Sequence, residues 1–166
     1  MLCLYLKAPF AVFRAFSTGS FRPTADFITP SAAYGLLLNV AGIEMRKDDG
    51  KSAMTLIREG LPKIKIAMGA IRSPLTHDIF QQIHNYPVGA SGKENAHLAK
   101  GSKYNIQPVR RQFLSDIEAY LCIDAEDDLK NKIESGLKGE TPRAYGLPFL
   151  GDNNFLIDRL EPVEEP

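Results

Sequence analysis

The sequence predicts an α+β domain in the order β-α-β-β-α-β, a ferredoxin-like layout with a long insertion in its central hairpin. Three observations predict it. Period-two or mixed apolar patterning marks residues 2–8, 63–72, 112–123 and 155–160 as strands. Helical spacing of apolar residues marks 31–42 and 124–136 as helices between them. The stretch 74–107 is long, polar and punctuated by Pro87, Gly89, Gly92 and Gly101. A structureless loop of about 30 residues is unusual inside a compact domain unless it has a function.

Each element has its own signal. In the first strand Leu2, Leu4 and Leu6 alternate with Cys3, Tyr5 and Lys7, and Pro9 is expected to end it. An aromatic and basic connection follows, with Phe10, Phe13, Arg14, Phe16, Phe21, Arg22 and Phe27. The first helix is expected to take Ser31 as N-cap and Gly42 as its stop. Ala33, Leu36, Leu37, Val40 and Ala41 form its apolar positions, and Gly35 predicts close approach to another backbone. Residues 47–50 read as a turn, and 51–58 as a short helix. Residues 63–72 alternate basic and apolar, as a strand with one wet face does. The excursion 74–107 reads as a long loop or an extended hairpin. The second helix has acids in its first turn, which suits the helix dipole, and a stripe of Leu129, Ile133 and Leu137. Pro148 to Asn154 reads as a structural turn before the last strand. The organisation is one domain over 1–160, with the insertion at about 74–110 and an acidic tail at 161–166.

The chain has 166 residues, of which 44% are hydrophobic and 24% charged, which excludes disorder as the main state. Twenty Lys+Arg balance twenty Asp+Glu, and a neutral total argues against a nucleic-acid binder. The layout is uneven, however. Residues 1–115 hold 15 bases and 7 acids, and 116–166 hold 5 bases and 13 acids, so the halves carry +8 and −8. Such asymmetry fits a polyanion-binding surface beside an acidic one, and equally a fold that mixes the two into a neutral skin. Cys3 and Cys122 belong to no CxxC or Cys/His cluster, so they are expected to be unpaired, buried small side chains in a reducing compartment. No early apolar run approaches the roughly 20 residues of a membrane span, so a soluble, cytoplasmic protein is expected.

The chemistry-bearing residues are mostly basic. Arg14 and Arg22 lie among Phe residues, where guanidinium and aromatic planes can stack on unpaired bases. Lys63, Lys65, Arg72, Lys93, Lys100, Lys103, Arg110 and Arg111 fall in a stretch with only two acids, and Tyr86 and Tyr104 accompany them. His77, His84 and His97 have no metal-ligand spacing, and no P-loop, G-x-G-x-x-G or G-x-S-x-G is present. No metal or cofactor is therefore expected, and no catalytic residue is assigned.

Residues 8–14 (Ala-Pro-Phe-Ala-Val-Phe-Arg) and 28–37 (Ile-Thr-Pro-Ser-Ala-Ala-Tyr-Gly-Leu-Leu) together resemble the N-terminal signature of the CRISPR-associated family Cas five, in particular its Myxan-type, type I-B branch. Residues 111–117 and 145–156 look like the same branch. The resemblance implies an RRM-like core with a β-hairpin thumb, for which 74–107 is the candidate. It implies a Cascade subunit that caps the 5′ handle of the CRISPR RNA and contacts the backbone and large subunits, meeting target DNA only indirectly and no membrane. Together with the basic and aromatic residues read above, the expected RNA-contact set comprises Arg14, Arg22, Ser31, Tyr34, Lys63, Lys65, Arg72, Lys100, Lys103, Tyr104, Arg110 and Arg111. Some members of the family cut precursor RNA with Tyr, Lys and His. No matching set is found here, so a non-catalytic subunit is expected, with a metal-independent endoribonuclease and a purely structural adaptor as the alternatives.

Overall fold

The computed structural model describes residues 1–15, 20–47, 56–84, 106–143 and 146–164. Its strands are β1 (Leu2–Ala11), β2 (Phe21–Arg22), β3 (Arg46–Lys47), β4 (Leu56–Ile57), β5 (Lys65–Ala70), β6 (Leu75–His84), β7 (Ile106–Asp124) and β8 (Arg159–Val163). Its helices are α1 (Pro30–Val40) and α2 (Asp127–Leu137). The class is mixed α+β, rich in strand, as the sequence predicts.

The principal sheet is built around two strands. β1 pairs antiparallel with β7 on one side and β8 on the other. The 19-residue β7 is long enough to take two successive partners on its far edge, β5 against residues 119–124 and β6 against 106–115. Alternation puts Leu2, Leu4, Leu6 and Ala8 of β1 on one face with Ile117, Ala119, Leu121 and Ile123 of β7. Leu36 and Leu37 of α1 and Leu129 and Ile133 of α2 complete this core. The opposite face carries Tyr5 and Tyr120, 6.0 Å apart, and the Lys7–Glu118 ion pair.

A break in pairing at residues 71–74 separates this sheet from the hairpin formed by β6 and the start of β7. Between the pairs Ala70↔Ala119 and Leu75↔Ser115, the β5–β6 side has one more residue than β7. That extra residue lies in the connection between β5 and β6, and it shifts the register of β6 on β7 relative to that of β5. Asp116, at φ 58°, sits in the same place, and Asp tolerates this left-handed conformation better than most residues. On β1 the buried positions slip here too, from Ala8 to Ala11 and Phe13, which leaves Phe10 outside the core.

Several sequence expectations are corrected. Pro9 does not end β1, because β8 pairs only as far as Lys7 and the strand is an edge beyond it. The N-cap of α1 is Thr29, not Ser31; its Oγ1 accepts from the Ala32 amide at 3.3 Å, and Pro30 takes the first helical position. Gly35 faces the Met45 sulfur at van der Waals distance rather than a backbone. Where a short helix is expected over 51–58, Leu56–Ile57 instead pairs with Arg46–Lys47; residues 51–55 lie outside the described residues. The excursion is an extended hairpin from Leu75↔Ser115 to His84↔Ile106, with 85–105 outside the described residues. The last strand is Arg159–Val163, so it takes in the first half of the expected acidic tail; as an edge strand it accommodates both Glu161 and Pro162.

The cysteines are corrected as well. Cys3 and Cys122 are directly opposite in the β1–β7 register, and they are joined by a disulfide with Cα atoms 4.1 Å apart. A separation of 119 residues hides that pairing from the sequence, while two long central strands in register create it.

Candidate nucleic-acid interface

The site lies where the hairpin leaves the sheet. After β1 the chain turns back along β7, and Thr24 anchors this return. Its buried Oγ1 accepts from the Phe13 amide at 2.9 Å, and its own amide donates to the Gln112 side chain at 3.4 Å. Arg14 bridges to Thr24, and β2 then runs parallel to β7 with Phe21 opposite Arg110 and Arg22 opposite Arg111. Four of the sequence-selected residues, Arg14, Arg22, Arg110 and Arg111, thus lie along one stretch of backbone, and alternation sends Arg110 to the face of Phe21 and Asp78 but Arg111 to the face of Gln81 and Phe113.

An aromatic cluster adjoins them. Phe10, Phe113 and Phe155 are in mutual contact, with ring centroids 5.7–6.0 Å apart. His77 stacks on Phe113 at 5.2 Å, and its Nε2 is 2.8 Å from the Ser115 hydroxyl. Phe155 reaches the cluster from the loop before β8. Gly151, at φ 79°, turns that loop tightly against the end of β1, where the Val12 amide donates to the Leu150 carbonyl at 3.0 Å. The stretch from Pro148 to Asn154 is therefore a structural turn, and it has a second role that its sequence does not announce. Asp152 grips Arg111 at 2.5 Å, with the two side chains only 13% and 20% exposed.

Burial on its own would raise the Asp152 carboxyl. The Asn154 amide and the Arg111 guanidinium, helped by the charge of Arg14, outweigh it and hold the group below its ordinary value. A carboxyl depressed in the folded state stabilises fully above its unfolded value of about 3.9 and ceases to do so as pH falls through the folded value. Asp152→Asn is therefore expected to cost roughly 1–3 kcal/mol near neutrality, with the deficit shrinking below about pH 4. Urea midpoints of the two proteins across pH check this; a deficit independent of pH would contradict it.

The other selected residues are dispersed. Lys65 pairs with Asp124, and Arg72 with Glu118, each at 3.2 Å, along the β5 side of β7. Lys63 is exposed in the connection before β5. The Tyr34 hydroxyl donates to the Pro62 carbonyl at 2.8 Å, and its half-buried ring packs against the core. Ser31 lies at the mouth of a separate cavity of about 360 Å³ beside α1, near Asn39, Glu44 and Arg46. There the Arg46 side chain is the main influence holding the Glu44 carboxyl down to about 2. Lys93, Lys100, Lys103, Tyr86, Tyr104 and His97 lie outside the described residues.

The +8 and −8 halves do not stay apart. Lys7, Lys65, Arg72 and Arg111, all from the basic half, pair with Glu118, Asp124, Glu118 and Asp152 from the acidic half. Arg110 pairs with an acid of its own half, Asp78, at 2.7 Å, while its guanidinium lies 5.7 Å from the Phe21 ring centroid. The antiparallel ladder explains the mixing: β7 carries acids of the second half between β1 and β5, which carry bases of the first. Sequence reading missed Asp152, Gln81, Phe113 and Phe155. The alternation of Arg111, Phe113 and Ser115 on β7 is the signal that would have placed Arg111 and Phe113 together.

The chain belongs to the CRISPR-associated protein (Cas_Cas5) family, whose model matches residues 1–154. Among solved structures it is similar to a chain of a "CRISPR RNA-guided surveillance complex", with a TM-score of 0.64 at 17% identity. That match covers 95% of this chain and 59% of the other, so the chain spans about three-fifths of its structural relative and shares its fold. A search of the curated proteins matched none. Among the described residues, no helix is long and apolar enough to cross a membrane.

Proposed function

We propose that the chain is a non-catalytic, RNA-binding subunit of a Cascade-type CRISPR effector complex. It caps the 5′ handle of the CRISPR RNA and contacts the backbone and large subunits. One observation carries this reading: β2 runs beside the two-stranded hairpin so that both of its faces carry Arg beside aromatic rings, Arg110 with the exposed Phe21 on one and Arg111 with Phe113 and the exposed Phe10 on the other, with Arg14 near Asp152. Family membership supports it. The main strand order β8–β1–β7–β5, with both helices on one face, supports the ferredoxin-like, RRM-like reading of the core.

In this role the hairpin is the thumb. Binding rests on charge and on splayed bases rather than on a buried reaction centre. Arg14 is exposed, and the Arg110 side chain is 65% exposed despite its pairing with Asp78, so both can reach phosphates. A solvent-facing ion pair is worth at most about 1 kcal/mol and yields readily to a phosphate.

The test is a salt series with single-stranded repeat RNA. Arg14→Ala combined with Arg110→Ala is expected to weaken binding and reduce the salt slope by about 1.4, at about 0.7 per lost phosphate contact. An unchanged slope would contradict the assignment. In the same experiment, wild-type protein in EDTA is expected to leave the RNA intact. Cleavage that His77→Ala removes would establish the endoribonuclease alternative instead.

A further inference from the structure

Beside the aromatic cluster is a cavity of about 190 Å³, lined by Phe10, Ile79, Gln81, Arg111, Phe113 and Phe155. It is smaller than the pockets of about 300 Å³ or more that hold drug-sized ligands, and its size suits one planar ring system. Its walls are three Phe rings and an Ile side chain. Its polar rim consists of two side chains, Gln81 and Arg111.

The rim has a definite hydrogen-bonding sense. Arg111 donates through Nη2 to Asp152 at 2.5 Å and through Nη1 to the Gln81 Oε1 at 3.4 Å. A guanidinium has no acceptor, so the Gln81 oxygen, not its nitrogen, must face it. The Gln81 NH₂ is thereby left as a donor, together with the N–H groups of Arg111 beyond those two bonds. The rim therefore offers mainly donors, held in place by the Asp152 clamp; its one acceptor, the Gln81 Oε1, is already engaged by Arg111. A purely apolar protein anchor would leave these donors unpaired, at the cost of their desolvation. An unstacked base satisfies them while its faces lie on the rings.

We propose that this cavity receives one unstacked nucleobase and favours a keto-bearing base, uracil or guanine, over adenine. Uracil presents two carbonyl oxygens, and guanine presents O6 and N7, to such donors. Adenine places an amino group where the rim's single acceptor, the Gln81 Oε1, is turned to Arg111. The inference rests on the RNA-binding reading above and deepens it. Arg14, near the Asp152 that clamps Arg111, holds the strand beside the cavity, and the cavity reads one position along it.

The test compares fluorescein-labelled decamers of uridine and of adenosine, using the full chain. Wild type is expected to bind the uridine decamer roughly tenfold more tightly. Gln81→Leu should remove that preference. Phe10→Ala should weaken both decamers, each by roughly tenfold, because stacking is tolerant of base identity. Neither substitution removes a charge, so both should leave the salt slope unchanged. Phe10 is 43% exposed, so its truncation leaves little internal void and thermal unfolding should confirm a folded variant. Equal wild-type affinity for the two decamers, or variants that bind as wild type does, overturns the pocket and leaves the RNA reading standing. No affinity for either decamer at low salt overturns both. If Phe10→Ala instead abolishes association with the other subunits while RNA affinity is kept, the cavity is a protein-docking site and the proposal fails.

Discussion

Gly151→Ala is expected to destabilise the protein by about 3 kcal/mol or more, among the largest effects of any single methyl addition to this chain. A Cβ at residue 151 would lie 1.6 Å from the Val12 carbonyl oxygen and 2.8 Å from its carbon, which no rotamer change can relieve. Its φ of +79° adds roughly 1–2 kcal/mol for any L side chain. Neither strand of this contact can step aside cheaply. The Val12 amide donates to the Leu150 carbonyl, and the Leu150 amide donates to the Phe155 carbonyl at 2.9 Å. Gly139→Ala is the matched control: its φ is +77°, but an added Cβ would meet nothing within 4 Å. It should cost only the conformational part, about 1–2 kcal/mol. For a domain of this size, 3 kcal/mol corresponds to a fall in Tm of roughly 6–12 °C. Equal losses in the two variants would refute the steric argument. Because the same loop delivers Asp152 to Arg111 and Phe155 to Phe10, Gly151→Ala should also weaken RNA binding, whereas Gly139→Ala should not.

What the sequence shows and what it hides divide along physical lines. Leu2, Leu4 and Leu6 expose β1 because period two is a local property, and Leu129 and Ile133 expose α2 for the same reason. Gly42 marks the end of α1 and indeed adopts φ 73° there. The hairpin was legible only as an alternative to a loop, since neither β6 nor the start of β7 has a clean apolar face. Long-range register is not legible at all. Whether Arg72 meets a phosphate or Glu118, and whether Arg111 meets a phosphate or Asp152, depends on which strands become neighbours. Net charge by segment measures composition along the chain, and an antiparallel sheet brings distant segments side by side. Part of the +8 half is therefore neutralised along the sheet, through Lys7, Lys65 and Arg72, while Arg14 and Arg110 remain accessible. The aromatic cluster was hidden for a related reason: the β1–β7 ladder brings Phe10 beside Phe113, and Gly151 lets the last loop close on β1 and add Phe155.

Long-range register also creates the second large effect, which belongs to the Cys3–Cys122 bridge. Reduction is expected to lower stability by about 4–5 kcal/mol, because the bond closes a loop of 119 residues and restricts the unfolded chain accordingly. The folded state should change little. The two residues are held opposite each other by the continuous ladder from Leu2↔Ile123 to Ala11↔Leu114, whether or not their sulfurs are bonded. Urea unfolding of wild type with and without reductant measures the effect directly, and the double variant Cys3→Ala, Cys122→Ala should be insensitive to reductant. Superimposable wild-type curves would show that the bridge contributes nothing. The hairpin root lies at the far end of this ladder, beside Ala11↔Leu114, and none of its contacts runs through Cys3 or Cys122. Reduction under conditions where the protein remains folded should therefore leave the affinity for RNA and its salt slope unchanged. A loss of RNA binding without unfolding would mean that the disulfide end of the sheet and the hairpin are coupled, and would place the bridge within the binding machinery rather than beneath it.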